Sequence, residues 1–267
     1  VSSTAGPAAP AARAARAAPA GAGGAEIFSM GKFDLGAESK FDALRPSIKA
    51  RLLEVLGLAP NASVWAMTGC RGGVNEGIWF VKAHGRPELV LKLVKITRIA
   101  TNIPTEAENF ARLYKEHPAA FSDPLLALPF KAFRCSGRPG AKENDLFVIR
   151  KSAGERLAEW LASKLHQQQF DVVLRMMWDL GARLSEYHSR YSHLQHGDFT
   201  LSNIFFDESR NQFAFIDLGG MGIPTLDGDV EHFSKSLALL EKKHGQPRVA
   251  EWDRAFRQGY AHGTGNT

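Results

Sequence analysis

The sequence contains little cysteine, no long apolar run and no strong excess of charge. Its two cysteines, Cys70 and Cys135, cannot build a disulfide framework, which favours a reducing, cytoplasmic compartment. Because no apolar run is long enough to cross a bilayer, we expect no membrane segment. The 33 basic and 28 acidic residues leave a net charge of +5, which is too small and too dispersed to favour nucleic-acid binding but suits a small anion.

Acidic residues are absent from the first 25 residues, which contain twelve Ala and two Arg interrupted by Pro and Gly. No core-forming periodicity occurs there, so we expect a disordered leader over residues 1–25. An Ala-, Ser- and Arg-rich segment without acids also resembles an organelle transit peptide. Targeting to an organelle therefore stays open beside the cytoplasmic expectation.

The sequence after the leader has enough apolar residues for one large domain or two lobes. Apolar residues recur at helical spacing from Phe41 to Leu56, and Gly57 stands where a C-terminal cap is expected. We therefore predict a helical extension over residues 26–61, before the main body of the protein.

A glycine-rich stretch joins two apolar segments that are typical of strands, residues 64–67 and 78–81. Four glycines fall within the nine residues 69–77, and glycine lets backbone amides approach phosphate oxygens closely. A phosphate-binding loop and an ordinary glycine-rich hairpin both fit this pattern. The candidate phosphate-binding residues are Gly69, Gly72, Gly73 and Asn75.

One cation lies within the next predicted strand, where Lys92 is flanked by Leu and Val over residues 89–94. A buried ammonium requires an anion beside it, whereas an edge-strand lysine would extend its amine into solvent. A helix is predicted over residues 105–114, with Thr105 as its N-cap. Glu106 and Glu108 are the rival partners for Lys92, and they lie on different faces of this helix.

Three side chains that could bind a metal ion or accept a proton lie on two short loops. Asp198 and Asn203 can face one site from a single loop, and Asp217 follows the second of two short strands joined by a turn over residues 207–211. Mg²⁺ is bound in proteins by one or two such oxygen donors together with phosphate oxygens. The alternative is a surface hairpin with ordinary turn residues.

The segments HGDFTLSN (residues 196–203) and FIDLG (residues 215–219) resemble the catalytic and metal-binding loops of the aminoglycoside phosphotransferase and choline kinase superfamily. The GGVN run at residues 72–75 is similar to the glycine-rich loop of that family. The resemblance implies a protein-kinase-like, two-lobed α+β fold, with ATP and Mg²⁺ bound in the cleft. A small β-rich N-lobe with the hinge would span residues 62–153, and a mainly helical C-lobe would span residues 154–267.

The resemblance also implies a role for each matching residue. Asp198 would orient the acceptor hydroxyl and take its proton, while Asn203 and Asp217 would hold Mg²⁺. Lys92 would contact the α- and β-phosphates. Its partner would be Glu106 rather than Glu108, because the family has Glu-Ala at this place in the helix.

Further matches concern the hinge and the C-terminal helices. The base of ATP would dock on backbone groups near Ile149 and Lys151, which end an apolar strand. His188 would be buried and hydrogen-bonded in a helix over residues 170–191, and Asp229 would accept hydrogen bonds from the 196–203 loop. The residues of the long helix that we predict to be core include Met176, Met177 and Trp178.

These assignments favour an ATP-dependent phosphotransferase that acts on a hydroxyl of a small molecule, such as an amino sugar or a choline-like alcohol. A protein kinase acting on Ser or Thr is the first alternative, although no Ala-Pro-Glu-like segment follows Asp217. A nucleotide-binding pseudokinase with a scaffold role is the second. Against it stands the presence together of the four residues that catalysis would use: Lys92, Asp198, Asn203 and Asp217.

Overall fold

The computed structural model describes residues 28, 30–69, 74–96, 103–137, 143–244 and 248–264. The leader expected over residues 1–25 lies outside these ranges, as do Cys70, Gly72 and Gly73. The described protein is mixed α+β, with a β-rich N-terminal sheet and a mainly helical C-terminal part. In the ranges given, no helix has both the length and the apolar character needed to cross a membrane.

The N-terminal sheet has six strands: β1 (Met30–Asp34), β2 (Ser63–Ala66), β3 (Asn75–Lys82), β4 (Leu89–Lys95), β5 (Pro129–Ser136) and β6 (Asn144–Arg150). Their spatial order is β1-β5-β6-β4-β3-β2, with β1 parallel to β5 and the other neighbours antiparallel. Strand β4, which carries Lys92, therefore lies inside the sheet between β3 and β6. Local sequence patterns predict β2, β3, β4 and β6 but neither β1 nor β5.

The helix α1 (Pro46–Val55) covers one face of this sheet. Its buried Ile48 and Leu52 belong to a core shared with Leu91 of β4. The helix begins later than the start predicted at Phe41, because Pro46 occupies its first turn, where the missing N–H of proline costs no hydrogen bond. Phe41 is nevertheless buried in the same core.

The opposite face of the sheet receives helix α2 (Glu106–Glu116). The predicted N-cap is confirmed, because the Thr105 hydroxyl accepts from the Glu108 N–H at 3.3 Å and the Glu108 carboxylate accepts from the Thr105 N–H at 2.8 Å. Phe110 of α2 packs edge-on against Phe147 of β6, with ring centroids 5.0 Å apart. This packing fixes the distance of α2 from the sheet.

The C-terminal part is formed by the helices α3 (Leu157–His166), α4 (Phe170–Arg190), α5 (Asp229–His244) and α6 (Val249–Thr264). A second sheet contains β7 (Glu155–Arg156), β8 (Ile204–Asp207) and β9 (Gln212–Phe215) in that order. Strands β8 and β9 form the predicted hairpin. In α4, Met176 and Met177 are buried as predicted, but Trp178 is 37% exposed. The prediction for Trp178 is wrong because each residue turns the helix by about 100°, which carries Trp178 off the buried face.

Candidate active site

Lys92 lies at the centre of the candidate site. Its side chain is only 10% exposed, and Nζ lies 2.9 Å from Glu106 Oε2 and 2.5 Å from Asp217 Oδ1. The alternative of an edge-strand lysine is wrong, because β4 has a neighbour on each side and the ammonium is enclosed. The expected ion pair with Glu106 is confirmed. The same ammonium also contacts Asp217, which is distant in the sequence.

The opposite charges of Lys92 and of the carboxylates of Glu106 and Asp217 stabilise one another despite burial. Burial lowers the pKa of Lys92, but the carboxylates of Glu106 and Asp217 outweigh that effect and raise it. Burial likewise raises the pKa of Asp217, but Lys92 outweighs that effect and lowers it. The Asp217 side chain is still 40% exposed, so solvent screens part of this ion pair and a ligand can reach the carboxylate.

Glu106 approaches Lys92 through space that Gly219 leaves open. A Cβ at position 219 would lie 2.5 Å from Glu106 Cδ and 2.6 Å from Glu106 Oε2. Glu108, the rival partner, is used in the helix cap. The absence of a side chain at Gly219 therefore lets α2 and the segment after Asp217 come together.

Gly219→Ala should displace Glu106 from Lys92 and lower turnover by about tenfold, the general size of a defect in a supporting contact. The neighbouring Gly220→Ala is a matched control, because a Cβ there would have its nearest neighbour, His196 O, at 3.9 Å. The reaction that the resemblance implies, measured for both variants as ADP release in the presence of a hydroxyl acceptor, checks this. Equal rates for Gly219→Ala, Gly220→Ala and the wild type would contradict it.

Asp198 and Asn203 meet within the loop of residues 196–203, which is called the catalytic loop after the family loop that it resembles. The Asn203 side-chain amide donates to Asp198 O at 2.9 Å and to Asp198 Oδ2 at 2.7 Å. Asn203 O accepts from the Ile216 N–H at 2.9 Å, which fixes the loop beside the strand end that precedes Asp217. Asp217 itself has φ 60° and ψ 47°, a left-handed conformation that Asp tolerates better than most residues. The structure therefore brings Asp198, Asn203 and Asp217 to one place.

The catalytic loop is held from behind by buried polar residues. Asp229 accepts from the N–H groups of His196 at 2.6 Å and Gly197 at 3.0 Å, and from His188 Nε2 at 2.9 Å. Burial raises the pKa of Asp229, but the hydrogen bonds from His188 and the two N–H groups outweigh it and lower the pKa. Both expectations, a buried hydrogen-bonded His188 and an Asp229 that binds the loop backbone, are confirmed.

His196 links the two loops of the site. Its Nδ1 accepts from the Asp198 N–H at 3.3 Å, so Nε2 carries the proton and donates to Ile216 O at 2.9 Å. Complete burial lowers the pKa of His196 and keeps the ring neutral, as this pair of hydrogen bonds requires. His196 therefore positions backbone next to both Asp198 and Asp217 and is itself fully buried.

The residues predicted to bind nucleotide are only partly described. Gly69 has φ +73° with no atom within 4 Å of a Cβ position, and Asn75 begins β3. The buried Asn75 Oδ1 has no hydrogen-bond partner among the described residues. The Lys151 N–H donates to Glu88 O at 2.9 Å. This N–H group therefore already has a hydrogen-bond partner and does not bind the base of a nucleotide. Ile149 packs against the core that α2 and the sheet share with the C-terminal helices.

The donor set suits a metal that also binds a phosphorylated ligand. In the described part of the chain, no group of three or more His, Cys, Asp or Glu side chains could hold a metal ion. Asp217 supplies an accessible carboxylate, and Asn203, whose backbone oxygen accepts from the Ile216 N–H, carries a side-chain amide oxygen. Hard oxygen donors in this number fit Mg²⁺, which takes one or two protein ligands and completes its shell with phosphate oxygens and water.

A cavity of about 400 Å³ lies behind the catalytic loop. Its lining includes His188, Asp229, Arg257 and Tyr260 but neither Lys92 nor Asp198. The cavity therefore adjoins the residues that support the loop and is separate from the reacting groups.

Local sequence patterns do not indicate two residues that shape the site. Asn109 is fully buried, and its side-chain amide donates to Gly219 O and Met221 O. Gly219 makes room for Glu106. The available signals were weak: a polar residue on the otherwise apolar inner side of α2, and a glycine two residues after the predicted metal ligand.

The resemblance to kinase-like phosphotransferases rests on a lysine paired with a helix glutamate, on an Asp-Asn loop and on a strand-end Asp. The chain matches the model of the phosphotransferase enzyme family (APH) over residues 126–265, just over half of its 267 residues. The chain belongs to this family, and the resemblance drawn from its motifs is confirmed. The match includes Asp198, Asn203 and Asp217, whereas Lys92 and Glu106 precede it and join the site through the ion pairs described above. A comparison with curated proteins gives no match.

Proposed function

We propose that this protein transfers the γ-phosphoryl group of ATP to a hydroxyl group of a small-molecule acceptor. One observation carries the proposal: Lys92 contacts Glu106 and Asp217 at once, while hydrogen bonds join the end of β9 to the Asp198–Asn203 loop. The alternative of a surface hairpin with ordinary turn residues does not explain why Asp217 contacts a buried lysine of the other sheet. The same contacts support a two-lobed, protein-kinase-like arrangement with the nucleotide between the six-stranded sheet and the helical part.

Asp198 acts on the acceptor. Its carboxylate accepts the hydroxyl proton as the acceptor oxygen bonds to the γ-phosphorus and the bond to the β-phosphate oxygen breaks, leaving ADP. The hydrogen bond from Asn203 to Asp198 Oδ2 holds this carboxylate in one orientation. Exposure of Asp198 leaves room for the acceptor.

Lys92, Asn203 and Asp217 act on the phosphates. Lys92, kept charged by Glu106, places positive charge beside the α- and β-phosphates. Asn203 and Asp217 would hold Mg²⁺, which would neutralise phosphate charge when bound. The phosphates would be contacted by Gly69, Gly72 and Gly73, which precede β3 in the sequence, and by Asn75, the first residue of β3. Positioning and charge compensation are therefore the main sources of catalysis.

MgATP should raise the melting temperature of the protein, and EDTA should reduce that rise. Ligand binding to the folded state at 100 times its Kd stabilises by about 2.7 kcal/mol, which a melting curve resolves easily. The comparison uses ATP with Mg²⁺, ATP with EDTA, and Mg²⁺ alone. No shift at millimolar MgATP would rule out the proposed function. A shift without any acceptor-dependent ADP release would favour the pseudokinase alternative, and release only with Ser- or Thr-containing peptides would favour the protein kinase.

A further inference from the structure

Asn109 is a fully buried polar residue that joins α2 to the segment after Asp217. Its Nδ2 donates to Gly219 O at 2.9 Å and to Met221 O at 3.0 Å. Its Oδ1 accepts from Arg112 Nη2 at 2.8 Å and from Arg112 Nε at 3.3 Å. Because carbonyl groups only accept and guanidinium groups only donate, the orientation of the Asn109 amide is unambiguous.

The two carbonyl groups belong to Gly219 and Met221, two and four residues after Asp217. Residues 218–220 form a single 3₁₀ turn, and Asp217 precedes it in a left-handed conformation. Beyond β9, the segment is held by Asn109, by Arg112 Nη2, which donates to Met221 O at 3.4 Å, and by Gln195 O, which accepts from the Gly222 N–H at 2.7 Å. Asn109 also lies three residues after Glu106, so both side chains project from the same side of α2. One helix thus contacts Asp217 through Lys92 and Glu106, and contacts the backbone after Asp217 through Asn109.

We infer that Asn109 is a positioning residue that sets the Asp217 carboxylate for metal-dependent nucleotide binding, with Arg112 fixing the orientation of its amide. The inference rests on the proposed function, in which Asp217 is a metal ligand. According to this inference, the position of the Asp217 carboxylate depends on α2 as well as on β9, the strand that precedes Asp217. A displacement of α2 would then change metal-dependent affinity even where Lys92 and Glu106 stay paired.

Asn109→Asp is the most direct variant. It keeps the shape and the acceptor for Arg112, but it replaces the amide donor with an oxygen that faces two carbonyl groups. The affinity for ADP should fall by about tenfold or more in the presence of Mg²⁺, as is usual when a residue supporting a metal ligand is changed. The affinity for ADP in EDTA should stay at the wild-type value. Calorimetric titration with ADP in Mg²⁺ and in EDTA measures both.

Arg112→Met provides a second variant that keeps Asn109 and alters a residue near the surface. Arg112→Met should lower the ratio of the ADP affinity in Mg²⁺ to the ADP affinity in EDTA by about threefold. This effect is smaller than that of Asn109→Asp because Asn109 keeps its donor group. Leu52→Ala in the α1 core is the matched control: it should lower the melting temperature without changing the ratio, since Leu52 is buried in the other core, on the face of the sheet opposite α2.

The ratio of the two affinities separates positioning from a merely structural role. Variants at Asn109 and Arg112 that lower the melting temperature like Leu52→Ala but keep the wild-type ratio would overturn the inference. If Asn109→Asp does not fold, an unchanged ratio in Arg112→Met overturns it alone. A wild-type protein whose ADP affinity is the same in Mg²⁺ and EDTA would instead refute the metal site of the proposed function.

Discussion

Asp198→Asn should bind MgATP with near wild-type affinity but turn over at least about 100-fold more slowly, the general size of a positioned acid–base contribution. The amide keeps the shape of the carboxylate, and its oxygen can still accept the hydrogen bond from Asn203. It cannot take the proton of an acceptor hydroxyl. Calorimetry for MgATP affinity and acceptor-dependent ADP release for turnover measure the two quantities separately.

Asp207→Asn is the matched control for this substitution. Asp207 ends β8 in the same hairpin, and its carboxylate accepts from the Ser209 hydroxyl at 2.6 Å. Its variant should keep both affinity and turnover. Full turnover by Asp198→Asn would show that the assignment of the proton acceptor is wrong, whereas an equal loss in both variants would indicate damage to the hairpin.

Asp217→Ala should lose both turnover and metal-dependent affinity for nucleotide. A metal ligand acts on the bound substrate and on the transition state alike, so its removal affects binding as well as rate. We expect turnover to fall by at least about 100-fold, comparable to the loss of a major electrostatic contact. The fold should persist, because Lys92 keeps Glu106 at 2.9 Å and the pair with Asp217 is partly exposed to solvent.

A titration of Mg²⁺ at fixed ATP measures this effect. Wild-type protein and Asp198→Asn should respond to Mg²⁺ in the same way, while Asp217→Ala should respond weakly or not at all. An unchanged Mg²⁺ response in Asp217→Ala would contradict the metal assignment. The two Asp variants therefore distinguish a proton acceptor from a metal ligand within one site.

Features set by neighbouring residues could be predicted from the sequence. Thr105 begins α2 because a hydroxyl and a glutamate three residues later cap each other. The hairpin of β8 and β9 follows from two short apolar runs around a turn. Asp198 and Asn203 belong to one loop, so their spacing alone indicates that they can meet. His188 and Asp229 were also placed correctly, on the resemblance to the family.

Features set by distant residues could not be predicted in this way. Strand β1 pairs with β5, about a hundred residues along the chain, and neither strand has a clear local pattern. Asn109 acquires its role only when Gly219 and Met221 approach it. The Lys151 N–H is used by Glu88, a sheet contact that the hinge sequence does not reveal. Trp178 has the residue type of a core position but faces outward on α4.

The most direct test of the account is ADP release by wild-type protein and Asp198→Asn across a panel of hydroxyl acceptors. The panel contains amino sugars, choline-like alcohols and Ser- and Thr-containing peptides, with MgATP present throughout. We predict that at least one small-molecule acceptor increases release by the wild type, that the acceptor gains a phosphate by mass spectrometry, and that Asp198→Asn shows neither effect. Equal release by the two proteins with every acceptor, despite MgATP binding, would contradict the account.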